Sequence, residues 1–208
     1  MEPEPQETIQ LNVPFYNQHF DFSCGPASLM MAMKYFDEHL SLTKDLEIDI
    51  WREANMVEIY GTSRFGLAYA AAIRGFCAIV TTKSDTIDFV DTVCKSISGL
   101  NLLMLKFHFC ERKDRCRKMG VQERHNTITG QVIYNSLLSK HVPLVVTNTL
   151  YCGGENLPHW ITITGIDENF VYFNNSLNSE PTKNKFKRSD LQEVVGYEGE
   201  QSMVEIWK

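Results

Sequence analysis

The apolar positions of the chain change their spacing along its length. Residues 8–16, TIQLNVPFY, alternate apolar and polar side chains, the period of a half-buried strand, and Pro14 restricts that strand to a sheet edge. From Cys24 to about His39 the spacing turns helical, with Leu29, Met30, Met33, Tyr35 and Phe36 forming a wide apolar stripe. TKDLEIDIWREANMVEI, residues 43–59, predicts a second helix with Thr43 as N-cap. SRFGLAYAAAIRGF, residues 63–76, predicts a third, stopped at Gly75. CAIVTT, residues 77–82, is a short strand, and residues 85–99, about 102–119 and 126–140 read as helices. Thereafter β-branched and aromatic residues dominate. VPLVVTNTL (142–150), HWITITGI (159–166) and FVYFNN (170–175) predict strands, RSDLQEVV (188–195) a short helix, and SMVEIWK (202–208) a final strand. Helices fill the first two-thirds and strands the last third. The predicted class is therefore α+β, a helical N-terminal part packed on a C-terminal antiparallel sheet.

Composition narrows this picture. The chain has 208 residues, 43% of them hydrophobic, enough for one domain over residues 11–208. The Glu/Pro-rich opening, residues 1–10, is expected to be a flexible acidic tail. A net charge of −6 argues against nucleic acid or an anionic membrane surface as partner. The start lacks a cationic, apolar export signal, and no run of about 18 apolar residues predicts a membrane span, so a cytoplasmic location is expected. Six cysteines without paired spacing read as reduced thiols. Cys110 and Cys116, with His108 and His125 nearby, lie outside the usual zinc spacing and amid solvating charge, so neither metal nor cofactor is expected.

One short stretch carries chemistry. Cys24 precedes Gly25-Pro26, and Pro is favoured in a helix's first turn, which places Cys24 at a helix N-terminus. Unpaired N–H groups and the helix dipole stabilise a thiolate there, and thiolate is the nucleophilic form. A lone cysteine would more simply be a buried small hydrophobe. Its company changes the balance, because a thiolate nucleophile needs a base and an oriented partner. His159 opens the strand HWITITGID at the rim of the expected sheet. The hairpin GIDENFVYFNN then supplies an orienting amide. A three-residue loop, Asp167–Asn169, sets Ile166 opposite Phe170 and Asn175 opposite Ile161, leaving Asn175 one diagonal step from His159 on the same face. An even loop would exchange Asn175 for Asn174. Gln18, six residues before Cys24, could donate to an oxyanion together with the Cys24 N–H. Trp160 is expected to pack under the sheet, and His19 to be a loop residue.

The order Gln, Cys at a helix start, distant His, then Asn is that of papain-like cysteine peptidases. VPFYNQHFDFSCGPASLMMAMKYF with PHWITITGIDENFVYFNN resembles the peptidase C39-like family, relatives of the domain that trims bacteriocin leader peptides. IWREANMVEIYGTSRFGLAYAAAIRGF is similar to a stand-alone branch of that family, and the resemblance runs from about Asn12 to the C-terminus. It implies a papain-like fold, Cys24 as nucleophile, His159 as base, Gln18 as oxyanion donor, and Asn175 where this family usually carries Asp and papain carries Asn. TSRFGLA is shorter than the glycine-rich loop this branch often has at the cleft edge. The implied activity is thiol hydrolysis of a peptide or amide bond, with a peptide or protein as partner. Acyl transfer, transglutamination and deamidation use the same site, and a non-catalytic peptide-binding module is the alternative from another class.

Overall fold

The protein is described by a computed structural model over residues 7–56, 61–83, 102–181 and 184–208. Six α-helices occur among these residues: α1 (Cys24–Phe36), α2 (Lys44–Ala54), α3 (Arg64–Ala72), α4 (Leu102–Lys118), α5 (Gly130–Leu138) and α6 (Leu191–Val194). They surround one eight-stranded sheet built from β1 (Ile9–Gln10), β2 (Cys77–Thr82), β3 (Gln122–His125), β4 (Val142–Asn148), β5 (Pro158–Ile166), β6 (Phe170–Asn174), β7 (Asn184–Lys187) and β8 (Ser202–Trp207). The strand order is β3-β2-β8-β4-β5-β6-β7, with β1 against the far end of β5. Every pairing is antiparallel except β2 with β3.

Local chemistry explains most helix limits. Thr43, Ser63 and Thr129 each accept a hydrogen bond from the N–H three residues on, at Leu46, Gly66 and Val132, and so start α2, α3 and α5. Gly75, at φ +80°, permits the left-handed turn after α3. The expected strand 8–16 contracts to β1, which reaches two residues into the stretch expected as a tail. The expected helix 85–99 lies outside the described residues. β3 (QERH) and β7 (NKFK) went unpredicted because both are short, polar strands at the sheet's two edges, where little apolar surface is buried.

Two packing outcomes differ from the sequence pattern. The residues of α1 from Gly25 to Met33 are buried on all sides, so the helix is a central core element rather than an amphipathic one. The sheet, too, is not confined to the C-terminal third. β8 inserts between β2 and β4, with Val204 opposite Val80 on one side and Leu144 on the other, so a strand from the helical part belongs to the same sheet.

The hairpin register decides the site. Ile166 pairs with Val171, not with Phe170, so the loop holds four residues. That even number would put Asn174 beside His159. Thr164, however, is bulged between Ile163 and Gly165, and the extra residue restores the parity: Ile163 pairs with Phe173 and Thr162 with Asn174. The bulge has a cause in β1. The Thr164 carbonyl accepts from the Leu11 N–H at 2.7 Å and from Gln10 Nε2 at 3.1 Å. Gly165 makes that approach possible, because a Cβ there would lie 2.3 Å from Gln10 Oε1 and 2.7 Å from the Ile9 carbonyl.

Candidate active site

Cys24 is the first residue of α1. Ser23, in the N-cap position, gives no side-chain cap to that helix. The first turn sits hard against a neighbouring loop, since a Cβ on Gly25 would lie 2.1 Å from Thr62 Oγ1 and 3.2 Å from the Trp160 ring. Only glycine lets the start of α1 come this close to β5.

His159, 2% exposed, stands on β5 opposite Thr147 of β4. Its Nε2 is 2.8 Å from Asn175 Oδ1, which makes Nε2 the protonated nitrogen and leaves Nδ1 for the Cys24 thiol. Asn175 is itself held: its Oδ1 also accepts the Leu177 N–H at 3.1 Å, and its Nδ2 lies 3.4 Å from Asn178 Oδ1. Asn174 is turned elsewhere, its Nδ2 donating to the Val13 carbonyl at 3.2 Å.

The electrostatics favour separated charge. Burial pushes the Cys24 thiol up, but the hydrogen bond and charge of His159, with backbone hydrogen bonds at Trp160 and Gly25, bring it below the ordinary thiol value. Burial likewise pushes the His159 imidazole down, while the Cys24 hydrogen bond and charge, and then the Asn175 hydrogen bond, raise it above the ordinary value. The two shifts are reciprocal, each group's hydrogen bond and charge favouring the charged form of the other. Cys116 shows the contrast. Buried, its Sγ within hydrogen-bond distance of the Phe65 carbonyl, it is pushed up to about 12.

Gln18, 8% exposed, lies six residues before Cys24. The Ser176 hydroxyl donates to its Oε1 at 2.8 Å, and its own N–H donates to the Ser176 carbonyl at 2.9 Å. These bonds turn the amide so that Nε2 carries the donors. One of them goes to the Phe20 carbonyl at 2.8 Å, and a second N–H remains on that nitrogen. The corner after β6 thus serves both groups, Asn175 meeting His159 and Ser176 meeting Gln18.

Beside the thiol opens a cavity of ≈ 60 Å³ with mostly apolar walls, among them Met56, Val146, Pro158 and Trp160. That volume admits a few waters or a small side chain. Trp160, 6% exposed and part of the hydrophobic core as expected, is also a cavity wall, its Nε1 donating to the Thr62 carbonyl at 3.3 Å. Thr62 Oγ1, also buried in this wall, has no hydrogen-bond partner among the described residues.

The structure brings Cys24, His159 and Asn175 into one chain of contacts, with Gln18 tied to the same corner and Asn174 outside it. It also shows two groups that the sequence did not single out. Ser176 orients Gln18, and Glu47 of α2 holds the segment between Gln18 and Cys24. Neither has a local signature, since both act through residues distant in the chain. Cys110 is exposed and Cys116 buried, and no group of three His, Cys, Asp or Glu gathers at metal-binding distance among the described residues.

A central helix starting at a cysteine, packed on an antiparallel sheet that carries a histidine, is the architecture of the papain-like cysteine peptidases. Within that class the sequence profile described as "Peptidase_C39 like family" matches residues 13–195, and the chain belongs to that family. Among solved structures, a candidate C39-like peptidase from Bacillus anthracis superposes with a TM-score of 0.56 at 13% sequence identity, over 98% of each chain. That identity speaks to the shared fold alone. No match is found among curated proteins. No helix among the described residues is long and apolar enough to cross a membrane.

Proposed function

We propose that the protein is a thiol hydrolase that cleaves a peptide or amide bond with Cys24, His159, Asn175 and Gln18. The observation that carries this reading is the continuous path from the Cys24 thiol through the His159 ring to Asn175 Oδ1. The Cys24 thiolate attacks the carbonyl carbon, a C–S bond forms, and the carbonyl electron pair moves to oxygen. The Cys24 N–H and the second Gln18 Nε2–H stabilise that oxyanion. As the tetrahedral adduct collapses, the C–N bond breaks and imidazolium Nδ1 protonates the leaving amine. Neutral His159 then takes a proton from water, which attacks the thioester. The C–S bond breaks, giving the carboxylic acid product and returning thiolate and imidazolium.

Asn175 holds the imidazole without a negative charge, so it orients the ring more than it stabilises the imidazolium. The apolar cavity beside Cys24 suits a small apolar substrate side chain. The free thiols at Cys24, Cys77, Cys110, Cys116 and Cys152 fit a reducing compartment, and we place the reaction in the cytoplasm.

The test is a diverse peptide library incubated with the protein in ¹⁸O-water and read by mass spectrometry against Cys24→Ala. Hydrolysis leaves one ¹⁸O in each new carboxyl terminus. Deamidation leaves the label on an intact chain, and acyl transfer yields adducts with added amine. Peptides retained without any Cys24-dependent product would overturn the enzyme reading in favour of a binding module.

A further inference from the structure

Glu47 is fully buried, yet it carries a carboxylate, in the first turn of α2. A buried carboxylate is tolerated only where donors surround it. Here they come from a single segment. The His19 N–H donates to Oε1 at 2.9 Å, and the Ser23 hydroxyl donates to the same oxygen. Oε2 accepts from the Tyr16 hydroxyl at 2.9 Å and lies 3.1 Å from His19 Nδ1. Ser23 Oγ also lies 2.7 Å from the Phe20 carbonyl, but its single proton favours the charged acceptor.

The two donors on Oε1 have a meaning in the chain. His19 directly follows Gln18, and Ser23 directly precedes Cys24. One oxygen atom therefore ties both ends of the turn 18–24, whose termini carry the two proposed oxyanion donors. Ser23 donates to Glu47 and gives α1 no side-chain cap.

We infer that Glu47 is a positioning residue that sets the spacing of the oxyanion site by holding His19 and Ser23 on one carboxylate oxygen. The inference rests on the thiol-hydrolase reading. It separates two reactions of the same thiolate. Alkylation by iodoacetamide displaces iodide at carbon and develops no oxyanion. Acylation by 4-nitrophenyl acetate passes through a tetrahedral oxyanion. Glu47 is needed for the second reaction only.

The experiment measures both rates at Cys24 in the full chain, with the Cys24→Ala background subtracted for the other thiols. The readout is the ratio of acylation to alkylation. Loss of an oxyanion donor typically costs about 10²–10³ in rate, and a displaced donor retains part of that. The expected fall in the ratio is about tenfold or more in Glu47→Ala and a few-fold in Ser23→Ala, with alkylation within threefold of wild type. Tyr16→Phe removes a donor on Oε2, away from the tie, and leaves the ratio unchanged. Gln18→Ala lowers it like Glu47→Ala. Should Glu47→Ala fail to fold, Ser23→Ala against Tyr16→Phe carries the comparison. An unchanged ratio in Ser23→Ala and Glu47→Ala, or equal falls in both rates, overturns the role of Glu47 while leaving the dyad standing. Loss of His159-dependent alkylation in the wild type removes the hydrolase reading and this inference with it.

Discussion

Removing the imidazole of His159 should silence Cys24 at mildly acidic pH, and the size of the effect follows from the site. In His159→Ala the burial that pushes the thiol up remains, while the leading influences that pull it down are gone. Each pH unit by which the Cys24 value rises costs about tenfold in thiolate at pH 6. A more basic thiolate is also a better nucleophile, with a Brønsted slope of about 0.4–0.5, which returns about threefold per unit. Alkylation at pH 6 should thus slow about three- to fourfold for every pH unit that the loss of His159 adds to the thiol. The assay is iodoacetamide labelling from pH 4 to 9, read on the Cys24 peptide by mass spectrometry, with exposed Cys77 and Cys110 as internal standards. In wild type the rate falls only as pH drops through the lowered Cys24 value, so labelling persists below the ordinary thiol range. Acylation gains a second, alkaline limb, because imidazolium is lost as pH rises through the raised His159 value. If Cys24 reacts no faster than Cys77 at pH 6, or if His159→Ala leaves its rate untouched, the reasoning fails.

Further expectations concern the surrounding scaffold. Asn175→Ala leaves the buried Nε2–H without its acceptor, at a cost of about 1–3 kcal/mol, and should narrow the pH range of the ion pair. Asn174→Ala should leave labelling of Cys24 unchanged, which the same mass-spectrometric assay checks. Asn175→Asp places a carboxylate beside the imidazolium and should move the alkaline limb of acylation to higher pH. Gly25→Ala drives a methyl into Thr62 Oγ1, and a loss of about 1–3 kcal/mol in urea unfolding is expected. Cys116, pushed up to about 12 and buried, should stay unlabelled in the native protein up to pH 9, whereas Cys77 and Cys110 react.

Helices with strong local signals were legible in the chain. Thr43 caps α2 as its position before an apolar-periodic run predicts, and CAIVTT forms a strand over the expected residues because its β-branched run is bounded by turn residues. The edge strands QERH and NKFK were not legible, since a polar strand gains its partners from elsewhere in the chain and leaves no apolar period of its own. The hairpin is the most instructive element. Counting residues in its loop led to the wrong pairing of Ile166, yet Asn175 still meets His159 because the Thr164 bulge adds one residue. Gly165 inside a strand pattern was the available sign of that bulge.

The sequence by itself determined the local elements and the residue types of the site: a cysteine at a helix start, a histidine opening a strand, and two asparagines at the next strand's end. These are encoded within short windows, by propensity, capping and side-chain chemistry. Which asparagine meets the histidine, that β8 lies inside the sheet, and that a carboxylate on α2 ties His19 to Ser23 were decided only by tertiary structure. Each depends on a contact between segments far apart in the chain, whose stability comes from burying them together rather than from either segment alone.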